Sequence, residues 1–207
     1  MAIAERYLAA RFNRPGHVIV DHYTYVLASD GDLMEGISQE AASLAGHLGL
    51  GKLIVLYDDN MISLEGPTSG WFTDDTAARF QACGWQAVRA ENADSDVDAV
   101  CAAIAEARAT DDKPSIILCR THIGYASPLE GSHKAHGAPL NAEQVRATKR
   151  NLGWPEDSEF LVPDRAHEFF AALADKGRRA HQAWQEQFSR YAEKYPDLAA
   201  EWRLAAQ

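Results

Sequence analysis

The chain has 207 residues, enough for one sizeable core with a smaller appendage. Acidic residues outnumber Lys plus Arg by 30 to 20, and the formal charge of −10 argues against a general nucleic-acid binder or a partner of anionic membranes. A phosphorylated ligand stays open, because a metal ion can bring its own positive charge.

"MAIAERYLAARF" has helical spacing, with Ile3, Tyr7, Leu8 and Phe12 on one side. It begins at the first residue without a cap, as a helix entered partway along would. After "RPGH", the run "YTYVLA" (23–28) predicts a strand and "GISQEAASLAGHLGLG" a helix. That helix carries Ile37, Ala41, Leu44, Ala45 and Leu48 as its apolar stripe and stops at Gly49 and Gly51. "KLIVLY" (52–57) is continuously apolar, as parallel strands are. A short helix follows with Thr73 as its N-cap, then the strand "WQAVRA", the helix "DVDAVCAAIAEARA" and the buried strand "PSIILCRTH" (114–122). Strand and helix alternate, which predicts an α/β fold with a parallel sheet flanked by helices. Residues 164–195 form a long helical stretch ending at Pro196, with Trp184, Phe188, Tyr191 and Tyr195 at helix spacing. This aromatic stripe reads as packing. The division expected is 1–160 for a partial α/β domain and 161–207 for a helical linker or tail.

Cys83, Cys101 and Cys119 are far apart with no Cys-x-x-Cys pair, which disfavours a disulfide framework or a zinc site. No apolar run reaches membrane-spanning length and the N-terminus lacks an apolar signal region, so a cytoplasmic protein without membrane or nucleic-acid partners is expected.

The chemistry concentrates in two acidic turns. Ligands of open parallel sheets bind beyond the carboxyl ends of the strands. Asp30-Gly31 follows one strand directly and Asp58-Asp59-Asn60 the next, and one crossover makes these strands near neighbours. A carboxylate and an amide oxygen then come within reach of one ion. Mg²⁺ suits such a pair, since it takes few protein oxygens and fills the rest of its octahedron with phosphate and water. Gly31 lets a phosphate approach the backbone, and the helix starting near Ile37 points its amide-rich end the same way. Asp-Gly and Asp-Asp-Asn are also ordinary turn formers that need no ligand. A calcium loop is excluded by spacing, because Met34 stands where a third ligand belongs.

The whole stretch "DGDLMEGISQEAASLAGHLGLGKLIVLYDDNMISLEG" resembles the thiamine diphosphate motif, and with its flanks it resembles transketolase in particular. Those flanks are "HYTYVLASDG", "PTSGWFTDDTAARFQACGWQAVR", "THIGYASPLEGSHKAHGAPL" and "LGW". The resemblance implies a thiamine diphosphate-binding fold and the cofactors Mg²⁺ and thiamine diphosphate. Asp30 and Asn60 match the side-chain Mg²⁺ ligands, and Ile62 the donor of a backbone carbonyl. Gly31 matches the glycine against the diphosphate, and Leu64 and Ile123 the apolar residues beside the thiamine rings. Glu35 matches a carboxylate in a network joining the two active sites of a homodimer. Ser29 departs from the motif's first glycine, and Asp32 adds a charge beside Gly31.

"GSHKAHGAPL" holds His133 and His136, where Gly and Pro argue against a helix. His136 matches the family histidine near diphosphate and substrate, where an imidazole can bond phosphate oxygens or move a proton. His133 reads as loop structure.

The resemblance implies transfer of a two-carbon ketol unit between ketose and aldose phosphates. It places Met1 inside a family helix, so the fold is expected to be incomplete at its N-terminus. The family's upstream segments and its downstream pyrimidine-binding domain are expected to be missing from this chain. The chain is therefore expected to be inactive alone or to depend on complementary transketolase segments. Two other readings stand beside it: a stand-alone Mg²⁺–thiamine diphosphate-binding module, and a structural remnant in which the motif survives only as turns.

Overall fold

The computed structural model describes residues 1–205, which divide into two compact units. One comprises Tyr23–Asp157; the other joins Ile3–His22 to the chain from Ser158 onward. The division expected at 160/161 kept the first helix with the sheet, whereas here it groups with the C-terminal helices.

The larger unit opens with β1 (Thr24–Ser29), which passes directly into the short helix α2 (Asp30–Met34). Asp30-Gly31 is thus the first turn of a helix and not a free loop. The helix α3 spans Gly36–His47, and β2 (Leu53–Asp59) runs two residues past its expected end, so Asp58 and Asp59 are strand residues. A small antiparallel hairpin, β3 (Ile62–Ser63) with β4 (Gly66–Pro67), follows. Next come the helix α4 (Thr76–Ala82), β5 (Gln86–Ala90), the helix α5 (Val97–Arg108) and β6 (Ser115–Arg120). The cap of α4 is Asp75 and not Thr73: its carboxylate accepts from the Ala78 N–H at 3.0 Å. Two further helices, α6 (Lys134–Gly137) and α7 (Ala142–Asn151), complete the unit. A single turn of helix therefore forms where Gly and Pro argued for loop, with His133 as its N-cap.

The four main strands form one parallel sheet in the order β1-β2-β6-β5. Alternation along each strand sorts the core into two faces. Val55, Tyr57, Ile116 and Leu118 pack with Leu33, Ala42, Ala45, Phe80 and Trp85 on one side. Ile54, Ile117 and Cys119 pack with Val88, Ala103 and Ala107 of β5 and α5 on the other. Ile54, Ile116 and Ile117 are wholly buried, each contributing about 1.5–3 kcal/mol by leaving water.

Helix α3 faces the sheet through small residues. Ala42 and Ala45 are buried, while Ile37 (70% exposed) and Leu44 of the expected stripe point outward. Close approach decides this orientation. A Cβ built on Gly46 would stand 1.7 Å from the Cys83 carbonyl oxygen, and the Trp85 indole N–H donates to the Ala42 carbonyl at 2.8 Å.

In the smaller unit, α1 (Ala2–Phe12) packs with α8 (Asp164–Lys194) and α9 (Pro196–Ala205). Phe12 meets Trp202 edge-on at 5.1 Å, and Tyr191 is fully buried beside Ile19, Val20 and Ala199. Ile3 and Tyr7 are exposed, so the face of α1 that packs carries Leu8, Ala9 and Phe12. Asn13 closes the turn after α1 by accepting from the Ile19 and Val20 N–H groups at 2.7 and 2.9 Å. The aromatic stripe of α8 is packing, as Trp184, Phe188, Tyr191 and Tyr195 join this cluster.

Candidate functional site

The parallel pairing of β1 with β2 puts Ser29 opposite Asp58, so both acidic segments leave the sheet side by side. Asp30 is buried, at 2% exposure. Its Oδ1 accepts from the Tyr57 phenol at 2.5 Å, while its Oδ2 is buried with no hydrogen-bond partner among the described residues. The backbone N–H of Met61 lies close enough to favour the ionised carboxylate slightly. Burial pushes the Asp30 carboxyl pKa up. The Tyr57 hydrogen bond opposes the rise, and Asp59 adds to it. The Tyr57 phenol is itself pushed well above its ordinary value, first by burial and then by Asp30.

At the tip of β2, the Asn60 Oδ1 accepts from the Ile62 N–H at 3.0 Å and its Nδ2 donates to Asp58 at 3.2 Å. One Oδ1 lone pair remains for a cation. Met61, between Asn60 and Ile62, has φ 59°, a left-handed backbone that costs a residue with a Cβ about 1–2 kcal/mol. Its carbonyl accepts from the Thr68 N–H at 3.0 Å, which fastens the turn. Asp30, Tyr57, Asp59, Met61 and Asp74 line a cleft of about 320 Å³; Asn60 is not among its lining residues.

The remaining matched residues converge around a second turn. A Cβ on Gly124, next to Ile123, would meet the Ala135 Cβ at 2.9 Å, and one on Gly137 would meet the Leu64 Cδ1 at 3.9 Å. The loop from β6, the β3–β4 hairpin and the His136 turn therefore meet, with Ile123, Leu64 and His136 at or beside these contacts. His136 and His133 are exposed. Gly31 has open space where a Cβ would stand, so a ligand can lie against its backbone. Glu35 is exposed between α2 and α3, where its carbonyl accepts from the Ser38 N–H. Asp32 is engaged locally: its Oδ2 accepts from the Ser29 N–H at 2.8 Å and the Ser29 hydroxyl at 2.9 Å. Ser29, standing for the motif glycine, thus uses its hydroxyl to fix the start of α2.

Among the described residues, no three His, Cys, Asp or Glu side chains gather as a ligand cluster. A hard cation that takes one carboxylate, one amide oxygen and one carbonyl needs none. The orphaned Asp30 Oδ2 is the feature that fits such an ion, because a buried acceptor without a partner is costly. Tyr57 was not legible in sequence as a site residue, since it ends an apolar strand like a core aromatic. The available signal was that a buried Tyr hydroxyl needs a polar partner.

An open parallel sheet with its polar side chains beyond the strand ends belongs to the α/β class whose ligands sit at that edge. Comparison with known proteins narrows the class. The family model for the transketolase thiamine diphosphate-binding domain matches residues 1–207, and the chain belongs to that family. It is 50% identical over 206 residues to a transketolase of Streptococcus pyogenes, covering 99% of this chain and 28% of that protein. It is likewise 50% identical over 202 residues to transketolase 1 of Escherichia coli, covering 97% of this chain and 30% of the relative. Among solved structures it is similar to transketolase from Pichia stipitis in complex with sedoheptulose 7-phosphate. There the TM-score is 0.95 at 42% identity, covering 97% of this chain and 30% of that one. Transketolase from Leishmania mexicana gives a TM-score of 0.94 at 45% identity, over 96% of this chain and 30% of that one. The chain spans under a third of each of these proteins. No helix of the described residues is long and apolar enough to cross a membrane.

Proposed function

We propose that this chain forms the diphosphate- and Mg²⁺-anchoring part of a transketolase-type transferase, acting on sugar phosphates together with the remaining segments of such an enzyme. The reaction moves a two-carbon ketol unit from a ketose phosphate to an aldose phosphate within a homodimer. The observation that carries this reading is Asp30: a buried carboxylate with one oxygen held by Tyr57 and the other unpartnered, beside the Asn60 turn.

When bound, thiamine diphosphate supplies the carbon centre that accepts the two-carbon unit. The chain supplies the anchoring. Asp30, Asn60 and the Ile62 carbonyl hold Mg²⁺. Gly31 gives the diphosphate a backbone without a side chain in the way. Leu64 and Ile123 offer apolar contact to the rings. His136 donates to a phosphate oxygen or moves a proton at the substrate's carbonyl oxygen, and Glu35 lies in the link between paired sites. Dependence on other segments is supported by β1, an edge strand whose Leu27 is 83% exposed beside half-exposed Tyr25.

The test measures ketol transfer and Mg²⁺-dependent thiamine diphosphate binding, with the chain alone and with the remainder of a transketolase added. Turnover is expected only in the complemented sample, and loss of both signals in Asp30→Ala. Turnover by the chain alone overturns the dependence on other segments. Cofactor binding that is indifferent to Mg²⁺ and to Asp30 overturns the assignment itself. Mg²⁺-dependent binding without turnover in the complemented sample favours the stand-alone module.

A further inference from the structure

We propose that Asn151 and Glu130 are positioning residues that hold Ala126 in a left-handed backbone and so fix where the loop after β6 presents Ile123 and His136. Their role rests on the reading of Ile123 and His136 given above.

Ala126 has φ 62°, a conformation that a residue with a Cβ disfavours and that glycine adopts freely. Both of its backbone polar groups are taken by side chains. Its N–H donates to Glu130 Oε2 at 2.6 Å, a charge-assisted bond, and its carbonyl accepts from Asn151 Nδ2 at 2.8 Å. Neither bond belongs to a helix or strand, so each acts on the conformation of this one residue. Asn151 is the last residue of α7, a helix with no buried residue. That end of α7 is itself clamped, because Arg150 donates to both Glu156 carboxylate oxygens at 2.9 and 2.8 Å.

Ala126 lies inside a closed loop. The Gly131 N–H donates to the Ile123 carbonyl at 2.9 Å and shuts it, and the Ser127 N–H donates to the Gly124 carbonyl at 2.9 Å within it. The buried Ser127 hydroxyl accepts from the Leu129 N–H at 3.1 Å. Gly124 is where this loop presses on the next turn. A Cβ there would stand 2.9 Å from the Ala135 Cβ and 3.0 Å from the Ser127 Oγ. Ala135 directly precedes His136, so a shift of Gly124 or Ser127 passes to the histidine. Relaxing Ala126 to a right-handed backbone turns its N–H and carbonyl away from Glu130 and Asn151 and re-routes the chain between Gly124 and Ser127. Strain of this kind persists only where its surroundings over-determine it, and the two side chains supply that constraint.

The experiment compares the full chain as parent, Asn151→Ala, Glu130→Ala, and Asn151→Ala combined with Ala126→Gly. Amide exchange at Ser127 and Gly131, read by nuclear magnetic resonance, reports loop closure. Loss of one hydrogen bond is expected to quicken exchange about three- to tenfold in either single variant. Adding Ala126→Gly to Asn151→Ala is expected to slow it again, because glycine carries no left-handed penalty. Each chain is then combined with the remainder of a transketolase, and ketol transfer at saturating sugar phosphate is expressed per bound thiamine diphosphate. Loss of folded protein leaves that quantity unchanged. Asn151→Ala is expected to lower it about three- to tenfold, and Ala126→Gly to restore it. Unchanged exchange in either single variant overturns the part given to that residue and leaves the transketolase reading standing. Quickened exchange with unchanged transfer, or a loss that Ala126→Gly does not restore, overturns the positioning role alone. No transfer by the complemented parent overturns the proposed function and the positioning role with it.

Discussion

Replacing Asp30 by Asn sets the site's chemistry against the stability of the metal-free chain. Burial raises the Asp30 carboxyl pKa above its ordinary value of 3.8, with the Tyr57 hydrogen bond opposing and Asp59 and Asp58 adding. In the unfolded chain the group is solvated and ionises near its ordinary value. At a pH below both values it is neutral in both states and favours neither. As pH climbs from the unfolded value through the raised folded one, the folded state is destabilised, and the full penalty is present above it. Asn keeps the shape and the acceptor for the Tyr57 phenol while removing the charge. A buried group without a partner costs about 1–3 kcal/mol, more when charged. The new amide leaves an N–H₂ in the buried position, so the net gain for Asp30→Asn sits near 1 kcal/mol at neutral pH. That corresponds to about 2–4 °C in melting temperature for a chain of this size. Scanning calorimetry in chelator reads it directly, and the gap between variant and parent is expected to close in acid. Mg²⁺ with thiamine diphosphate should reverse the order by stabilising only the parent. A variant that melts below the parent in chelator at neutral pH refutes the reasoning, since the carboxylate would then stabilise the empty fold.

Gly46→Ala forces a Cβ to within 1.7 Å of the Cys83 carbonyl oxygen, so α3 must shift off the sheet. A loss of about 1–3 kcal/mol is expected in chemical denaturation, and an unchanged midpoint would contradict the close approach. Cys119 is buried and its thiol pKa is pushed up by that burial and by Asp58, whereas Cys101 is exposed. Alkylation of the native chain, mapped by mass spectrometry over time, should modify Cys101 first and reach Cys119 only on unfolding.

What could be read in advance follows from which forces act locally. The strands "LIVLY" and "SIILC" announce themselves because both of their faces are buried, which leaves no alternation to misread. Their parallel pairing, and with it the adjacency of Asp30 and the Asn60 turn, follows from the alternation of strand and helix. The face of α3 was legible in part, since Ala45 and Leu48 of the expected stripe do pack on the core. Ile37 and Leu44 suggest a stripe by hydrophobicity alone, yet Ala42, Ala45 and Gly46 define the contact because distance to a neighbouring backbone decides it. The β3–β4 hairpin is too short for periodicity to register, and the polar helix α7 is held by its Asn141–Gln144 capping box with no buried residue. Thr73 and Asp75 both qualify as caps by type, and only the N–H of Ala78 distinguishes them. Tyr57 is hidden in the sequence because its ring obeys the strand's apolar pattern while its hydroxyl meets Asp30.

The last residues of β2 carry one more constraint. Tyr57 and Asp59 face the Asp30 cleft, whereas Asp58 lies on the other side with Cys119 and Thr121. The two carboxylates are thus separated by parity: odd positions serve the cleft and even ones its reverse. A single codon inserted between Leu53 and Tyr57 would exchange them, unseating the phenol from Asp30 while changing no residue's identity. Strand length ahead of the cleft is therefore constrained by parity as well as by composition, unless a bulge absorbs the extra residue.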